Sequence, residues 1–324
     1  MKAIACTGYG PPEVLQLVEV EKPIPKKDQV LIKVKATAVT ASDCIIRSFN
    51  MPGAVRFPQK QFMELMMRVY IGFTKPRKPL GLVLSGEIES VGTKIKRFKK
   101  GDQVFGWTGF SMGAYSEFVC MSEEDSNRGC LSIKPSNMSF QEAAALSYGA
   151  VLASHFLNID NIHSGQKVLI YGASGAIGSI AVQLAKCYGA QVTAVCGSKN
   201  IELVRSLGAD NVIDYTKNDS MKLLETYDLV FDAVGKNKTS ELKVQCEKAL
   251  TTNGKYVSVD DSNVPLRSEY LDKVREFVEA GDMQVIIDRC YTLGEIVEAH
   301  RYVDQGHKTG NVVITLAPNA DQRG

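Results

Sequence analysis

Along the first 120 residues the apolar positions recur at every second residue. In QVLIKVKATAV, Val30, Ile32, Val34 and Ala36 fall on one side, and Leu31, Lys33 and Lys35 on the other. That is the period of a half-buried strand. Further short strands are expected at 82–91, 103–107 and 114–120, between glycine-containing turns such as KKGD. One stretch breaks the rhythm. In QKQFMELMMRVYIGF, Phe62, Leu65, Met66, Val69, Tyr70 and Phe73 recur at helical spacing, and Met63 and Met67 widen the stripe. The spacing predicts an amphipathic helix over 61–73.

From about residue 125 the pattern changes. Ser139 and Glu142 stand three apart ahead of an apolar run, a capping-box signature, and predict a helix through AAALSYGAVLASHFL. Strands near 168–171, 192–195, 212–214, 229–232 and 255–259 then alternate with helices at 177–188, 200–206, 220–226 and 239–249. Short apolar strands alternating with helices predict a parallel sheet covered on both faces, and right-handed crossovers make it doubly wound. Beyond 260 come a helix (269–280), a strand in QVIID, a helix (295–304) and a last strand in NVVITL.

Composition narrows the class. The 324 residues are 44% hydrophobic and 23% charged, and the net charge of +2 offers no strong pull toward nucleic acid or an anionic membrane. No apolar run reaches the roughly 18 residues of a membrane span, and the first ten residues read as a strand rather than a signal peptide. The eight cysteines contain no CxxC pair, which argues against a structural zinc site and a disulfide framework. A cytoplasmic protein is expected.

The candidate chemistry lies in VLIYGASGAIGSIAVQLAK. Gly172, Gly175 and Gly178 sit between a strand and a helix inside a βαβ unit. There the first glycine allows a tight turn, the second lets the backbone approach a pyrophosphate, and the third lets helix pack on strand. The helix start favours an anion. Sites for NAD usually place an Asp or Glu at the end of the second strand, on the ribose 2′-hydroxyl. Here that end reads Cys196-Gly197-Ser198-Lys199. Ser198 can donate to a 2′-phosphate, Lys199 adds charge and Tyr215 can flank it, so NADP(H) is the expected cofactor. The alternative is that Ser198 and Lys199 simply start a helix.

The chain resembles the medium-chain dehydrogenase/reductase superfamily through TASDCIIRS, LGLVLSGEIESVGTKIKRFKKGDQVFG, the glycine stretch above and GHKTGNVVIT. The resemblance implies a GroES-like, β-rich catalytic domain over 1–122, a Rossmann nucleotide-binding domain over 123–262, and a return to the catalytic domain over 263–324. Zinc-dependent members have their catalytic ligands where this chain has Thr40, Leu82 and Tyr148. The chain also lacks their cysteine-rich structural-zinc loop, and His155, His163, His300 and His307 are scattered. It is therefore similar to the zinc-independent quinone oxidoreductase branch, and no metal ligand is expected. The resemblance also implies a homodimer, but the short 260–285 stretch offers no clear sixth strand to build it.

Catalytic candidates follow from the same positions. Ser42 matches a proton-relay hydroxyl, and Thr40 and Tyr148 keep hydroxyls where ligands stood. Thr40 reads first as a strand-end packing residue, and Tyr148 can equally be a buried aromatic. Asp43 is expected to orient the loop or pair with Arg47. On the cofactor side the resemblance implies Ser174, Gly175, Ala176 and Ile177 around the pyrophosphate and Val234 and Val259 beside the nicotinamide. His307, Lys308 and Asn311 would reach in from the returning segment, though Lys308 can also be a plain surface charge. The expected activity is hydride transfer from NADPH to a small apolar acceptor, a quinone or an α,β-unsaturated carbonyl. An alcohol dehydrogenase or ketone reductase and a low-turnover NADPH-binding sensor remain alternatives. The Met-rich helix is either core or a flexible cover over the acceptor, a role that suits methionine.

Overall fold

The computed structural model describes residues 1–50, 65, 68–236, 239–261 and 264–316. Strands β1 (Lys2–Cys6) and β2 (Leu15–Glu19) form a two-stranded ribbon. β3 (Gln29–Ala38), β4 (Val83–Val91), β5 (Gln103–Trp107), β6 (Phe118–Ser122) and β7 (Cys130–Ile133) build a second sheet. Its central strand shows the predicted alternation, with Val30, Ile32 and Val34 buried and Lys33 exposed. Leu31, expected on the polar side, is buried too.

The short helix α1 (Ala41–Ser48) leaves the end of β3, capped reciprocally by Thr40 and Asp43. Helix α2 (Phe140–Phe156) has the predicted Ser139–Glu142 box and is buried almost all round. It packs on β3, β4 and β5 and on α3 (Gly178–Cys187) of the second half. Its small residues allow this: Ala144 and Ala145 pack against Ala36 of β3.

The second half is a five-stranded parallel sheet. β8 (Lys167–Tyr171), β9 (Gln191–Cys196), β10 (Asn211–Asp214), β11 (Tyr227–Asp232) and β12 (Leu250–Ser258) lie in the order 10-9-8-11-12. Helices α3, α4 (Ile201–Ser206) and α5 (Glu241–Lys248) connect them. The order changes direction at β8, so the crevice at the carboxyl ends of β8 and β11 is where a ligand binds in such sheets. The helix expected at 220–226 is only a 3-10 turn at Ser220–Leu223. The Ser220 hydroxyl bonds the carbonyls of Asp214 and Lys217 and tightens the chain there.

Helix α6 (Ser268–Ala280) straddles both halves. Tyr270, Leu271, Val274 and Val278 join the core around α2 and β8, while Ser268 bonds Asp125 and Ser132 bonds Asp272. The strand expected at 284–288 begins later, as β13 (Ile287–Thr292). The reason is Gln183 on α3, whose side-chain amide binds both the N–H and the C=O of Gln284 and holds that residue against the helix. After α7 (Ile296–Asp304), strand β14 (Asn311–Thr315) enters the β3–β7 sheet between β13 and β3.

Candidate functional site

The glycine turn after β8 forms because two residues there cannot carry a Cβ without strain. Gly172 sits at φ +82°, and a Cβ would strike Val234. At Gly178 a Cβ would overlap the Gly172 carbonyl. Gly149, on α2, has the same constraint from the other side. Its Cβ would lie 2.7 Å from the Ala176 carbonyl oxygen and 2.8 Å from Ile180. The central helix thus presses on the turn. Gly175 faces a cavity of about 590 Å³, as do Ser174, Ser198, Lys199, Tyr215 and Val234. Helix α3 starts at this cavity with no side chain capping its first turn. Its amide groups and dipole suit a pyrophosphate, so the residues present fit a dinucleotide.

The returning segment meets the turn. The Gly310 amide donates to the Ser174 carbonyl at 2.8 Å, and Asn200 donates to the Ser174 hydroxyl at 2.9 Å. His307 and Lys308 line the cavity. Lys308 is not a plain surface charge: its amine donates to the Gly310 carbonyl at 2.5 Å, and burial lowers its pKa to about 8. Asn311 is buried and spends its side-chain amide on the Ile286 carbonyl at 3.2 Å.

At the far end, Ser198 and Lys199 do start a helix, a 3-10 turn over Ser198–Asn200 that runs into α4, and both also make side-chain bonds. The Ser198 hydroxyl donates to Asp214 at 2.5 Å, and Lys199 donates to the His307 carbonyl at 3.2 Å. Asp214 and Thr216 were not legible as site residues, because they belong to the third strand and the turn after it. Asp232 was missed too. Fully buried, it forms an ion pair with Lys243 at 2.7 Å and accepts from Tyr256, Ser258 and the Val234 and Gly235 amides. It thereby fixes the turn that presents Val234.

Across the cleft lies a second, mostly apolar cavity of about 650 Å³, lined by Ile45, Leu82, Trp107, Phe110 and Leu266 among others. Val259 lies here rather than in the first cavity. Two hydroxyls interrupt the apolar wall. Ser42 Oγ and Tyr148 Oη share a hydrogen bond of 2.8 Å, and the Trp107 ring packs against Tyr148 at 4.9 Å between centroids. Burial pushes the Tyr148 phenol up to about 12, so it is protonated at neutral pH. Two hydroxyls bonded to each other use one proton between them and leave one O–H free to donate.

Thr40 does not join this pair. Its hydroxyl donates to Asp43 at 2.6 Å and accepts from the Asp43 amide, as an N-cap does. Asp43 also accepts from the Gly81 amide at 3.2 Å, so it orients the loop as expected. Burial pushes its pKa up to about 6 despite these bonds. Arg47 pairs instead with Asp304 at 2.7 Å, across to α7. Leu82 is buried and offers no ligand. His300 lies away from the cavity, within 3.5 Å of Cys44 Sγ and 3.2 Å of the Tyr115 hydroxyl. Among the described residues no three His, Cys, Asp or Glu side chains gather as a metal site.

Of the Met-rich stretch, Met63, Met66 and Met67 lie outside the described residues. Leu65, Val69, Tyr70 and Phe73 are exposed, while Ile71 is buried and lines the apolar cavity. The Tyr70 ring stands 5.3 Å from that of Phe110 at the cavity rim.

Known proteins share the sequence and fold of this chain. Residues 26–128 match the alcohol dehydrogenase GroES-like domain family, and residues 176–289 the zinc-binding dehydrogenase family. A 2-methylene-furan-3-one reductase of Solanum lycopersicum is 31% identical over 98% of this chain and 80% of its own length. An NADPH-dependent alkenal/one oxidoreductase of Arabidopsis thaliana is 30% identical with the same coverage. The solved quinone oxidoreductase from Coxiella burnetii superposes with a TM-score of 0.83 at 27% identity, over 98% of this chain and 99% of its own. No helix among the described residues is long and apolar enough to cross a membrane. On fold and sequence together, the chain belongs to the quinone oxidoreductase-like branch of the medium-chain dehydrogenase/reductase superfamily and is an oxidoreductase.

Proposed function

We propose that this protein is an NADPH-dependent, zinc-independent reductase of quinones or α,β-unsaturated carbonyls. The observation that carries this is the Ser42–Tyr148 hydroxyl pair in an apolar cavity beside the dinucleotide cleft. Residues 1–122 supply most of the acceptor wall, which Tyr148 and Val259 complete, and 123–262 supply most of the cofactor wall, which His307 and Lys308 of the returning segment complete. The glycine turn holds the pyrophosphate, the Val234 turn borders the nicotinamide, and Lys199 and Tyr215 face the 2′-phosphate. The bound cofactor supplies a hydride. Trp107, Leu82 and Ile45 exclude water and orient the acceptor's conjugated plane, so that much of the rate comes from alignment. The free O–H of the Ser42–Tyr148 pair donates a hydrogen bond to the acceptor's carbonyl oxygen as charge develops there and keeps its proton. Solvent can then protonate the resulting enolate carbon.

Zinc independence rests on the donor set. Thr40, Leu82 and Tyr148 stand where zinc-dependent relatives have ligands, and the Thr40 hydroxyl is held by Asp43. The relatives named above act on alkenals, furanones and quinones by their names, which supports the acceptor class. The eight free thiols fit a reducing compartment such as the cytoplasm. The test is a panel of quinones, enones, ketones and alcohols assayed with NADPH and with NADH. The reading requires turnover of the conjugated acceptors and fails if only simple alcohols and ketones react, or if cofactor binds with no turnover.

A further inference from the structure

In most dinucleotide sites of this shape a carboxylate at the end of the second strand holds the ribose 2′-hydroxyl. The second strand here, β9, ends without one. The neighbouring β10 supplies it: Asp214 pairs in register with Cys196, the last residue of β9. Its side chain reaches the same corner, 8% exposed, behind Ser198 and Thr216, which line the dinucleotide cavity.

Its contacts change what that corner can recognise. Asp214 Oδ2 accepts from Ser198 Oγ at 2.5 Å, and Oδ1 accepts from Thr216 Oγ1 at 2.7 Å and the Thr216 amide at 3.0 Å. The two hydroxyls are themselves 2.9 Å apart. Burial alone would raise the Asp214 pKa. The bonds from Ser198 and Thr216 outweigh it and hold the carboxyl below its usual range. An ionised carboxylate only accepts, so it takes up both hydroxyl protons. Ser198 then shows lone pairs to the cleft. A free 2′-hydroxyl can donate to them, whereas a 2′-phosphate needs donors and meets a like charge behind them. Lys199 and the Tyr215 hydroxyl pull the other way.

We propose that Asp214 is a specificity-determining residue. Through Ser198 and Thr216 it restrains the preference for the phosphorylated cofactor and keeps the non-phosphorylated one in use. This rests on the reading that the ribose 2′ position lies at Ser198 and Lys199.

The test is the ratio of kcat/KM for NADPH to that for NADH, measured with one enone acceptor. An Asp214→Asn side chain keeps the shape and can still bond both hydroxyls, but loses the charge. The ratio is expected to rise about tenfold, or roughly 1.4 kcal/mol. A ratio that stays level or falls overturns the proposal, and a defect in packing alone would depress both cofactors and leave it level. If Asp214→Asn does not fold, Asp214→Ser is read the same way. A Lys199→Ala variant separates the two readings. If it moves the ratio toward NADH while the Asp214 substitution is silent, only the role of Asp214 falls. If neither moves the ratio, the ribose lies elsewhere and both readings fall.

Discussion

Ser42 Oγ and Tyr148 Oη meet at 2.8 Å although they come from two helices 106 residues apart in the chain. The capped start of α1 brings one and the buried α2 the other, and the wall around them is apolar. If this pair supplies the hydrogen bond that stabilises developing oxygen charge, Tyr148→Phe and Ser42→Ala should each lower kcat by about 10- to 100-fold. NADPH affinity should change little. The double variant should cost less than the product of the two, because the hydroxyls act as one donor. Steady-state kinetics with an enone and a cofactor titration check this.

The 2′-phosphate reading predicts a change of preference. Ser198→Asp/Lys199→Ala replaces a hydroxyl and an amine by a second carboxylate beside Asp214. NADPH should lose at least tenfold in kcat/KM while NADH keeps most of its own. Preserved preference would place the 2′-phosphate elsewhere.

Gly149 couples the acceptor helix to the phosphate turn. In Gly149→Ala the new methyl must push back the Ala176 carbonyl, 2.7 Å away, or Ile180. A stability loss of about 1–3 kcal/mol is expected from such overpacking, together with weaker NADPH binding. Denaturant melts and a fluorescence titration report the two effects, and a variant unchanged in both would show that the contact relaxes freely.

His300 should govern part of the acid limb of stability. Burial, with Arg47 adding to it, lowers its pKa to about 3, against about 6.5 in an unfolded chain. Between those values the unfolded chain binds more protons. The contribution of His300 is therefore complete above pH 6.5 and is lost as pH falls toward 3, by about 1.4 kcal/mol per pH unit in that window. Asp43, with its pKa raised to about 6, acts in the opposite sense between pH 4 and 6. A His300→Gln variant should have a flatter stability curve below pH 6.5 than the wild type. Equal slopes would contradict the burial argument.

The strand alternation in β3, the capping box at Ser139 and the glycine turn at Gly172 were all legible, because each is a local pattern. So were Ser42 and Tyr148 as positions, through the resemblance. Their hydrogen bond, the hold of Asp214 on Ser198 and the pressure of Gly149 on Ala176 were not. Each joins residues that only the folded topology brings together. The same limit explains β13: its apolar letters begin at Val285, but Gln183, 101 residues earlier than Gln284, holds the chain against α3. Thr40 shows the converse. Its hydroxyl suited catalysis by position, yet the local capping box with Asp43 uses it.

The most direct measurement of the account is NADPH oxidation with an enone by enzyme dialysed against a strong chelator, wild type beside Ser42→Ala/Tyr148→Phe. The account predicts full wild-type turnover after chelation and a large loss in the variant. Activity that disappears with the chelator and returns with zinc, or a variant as fast as the wild type, would contradict it.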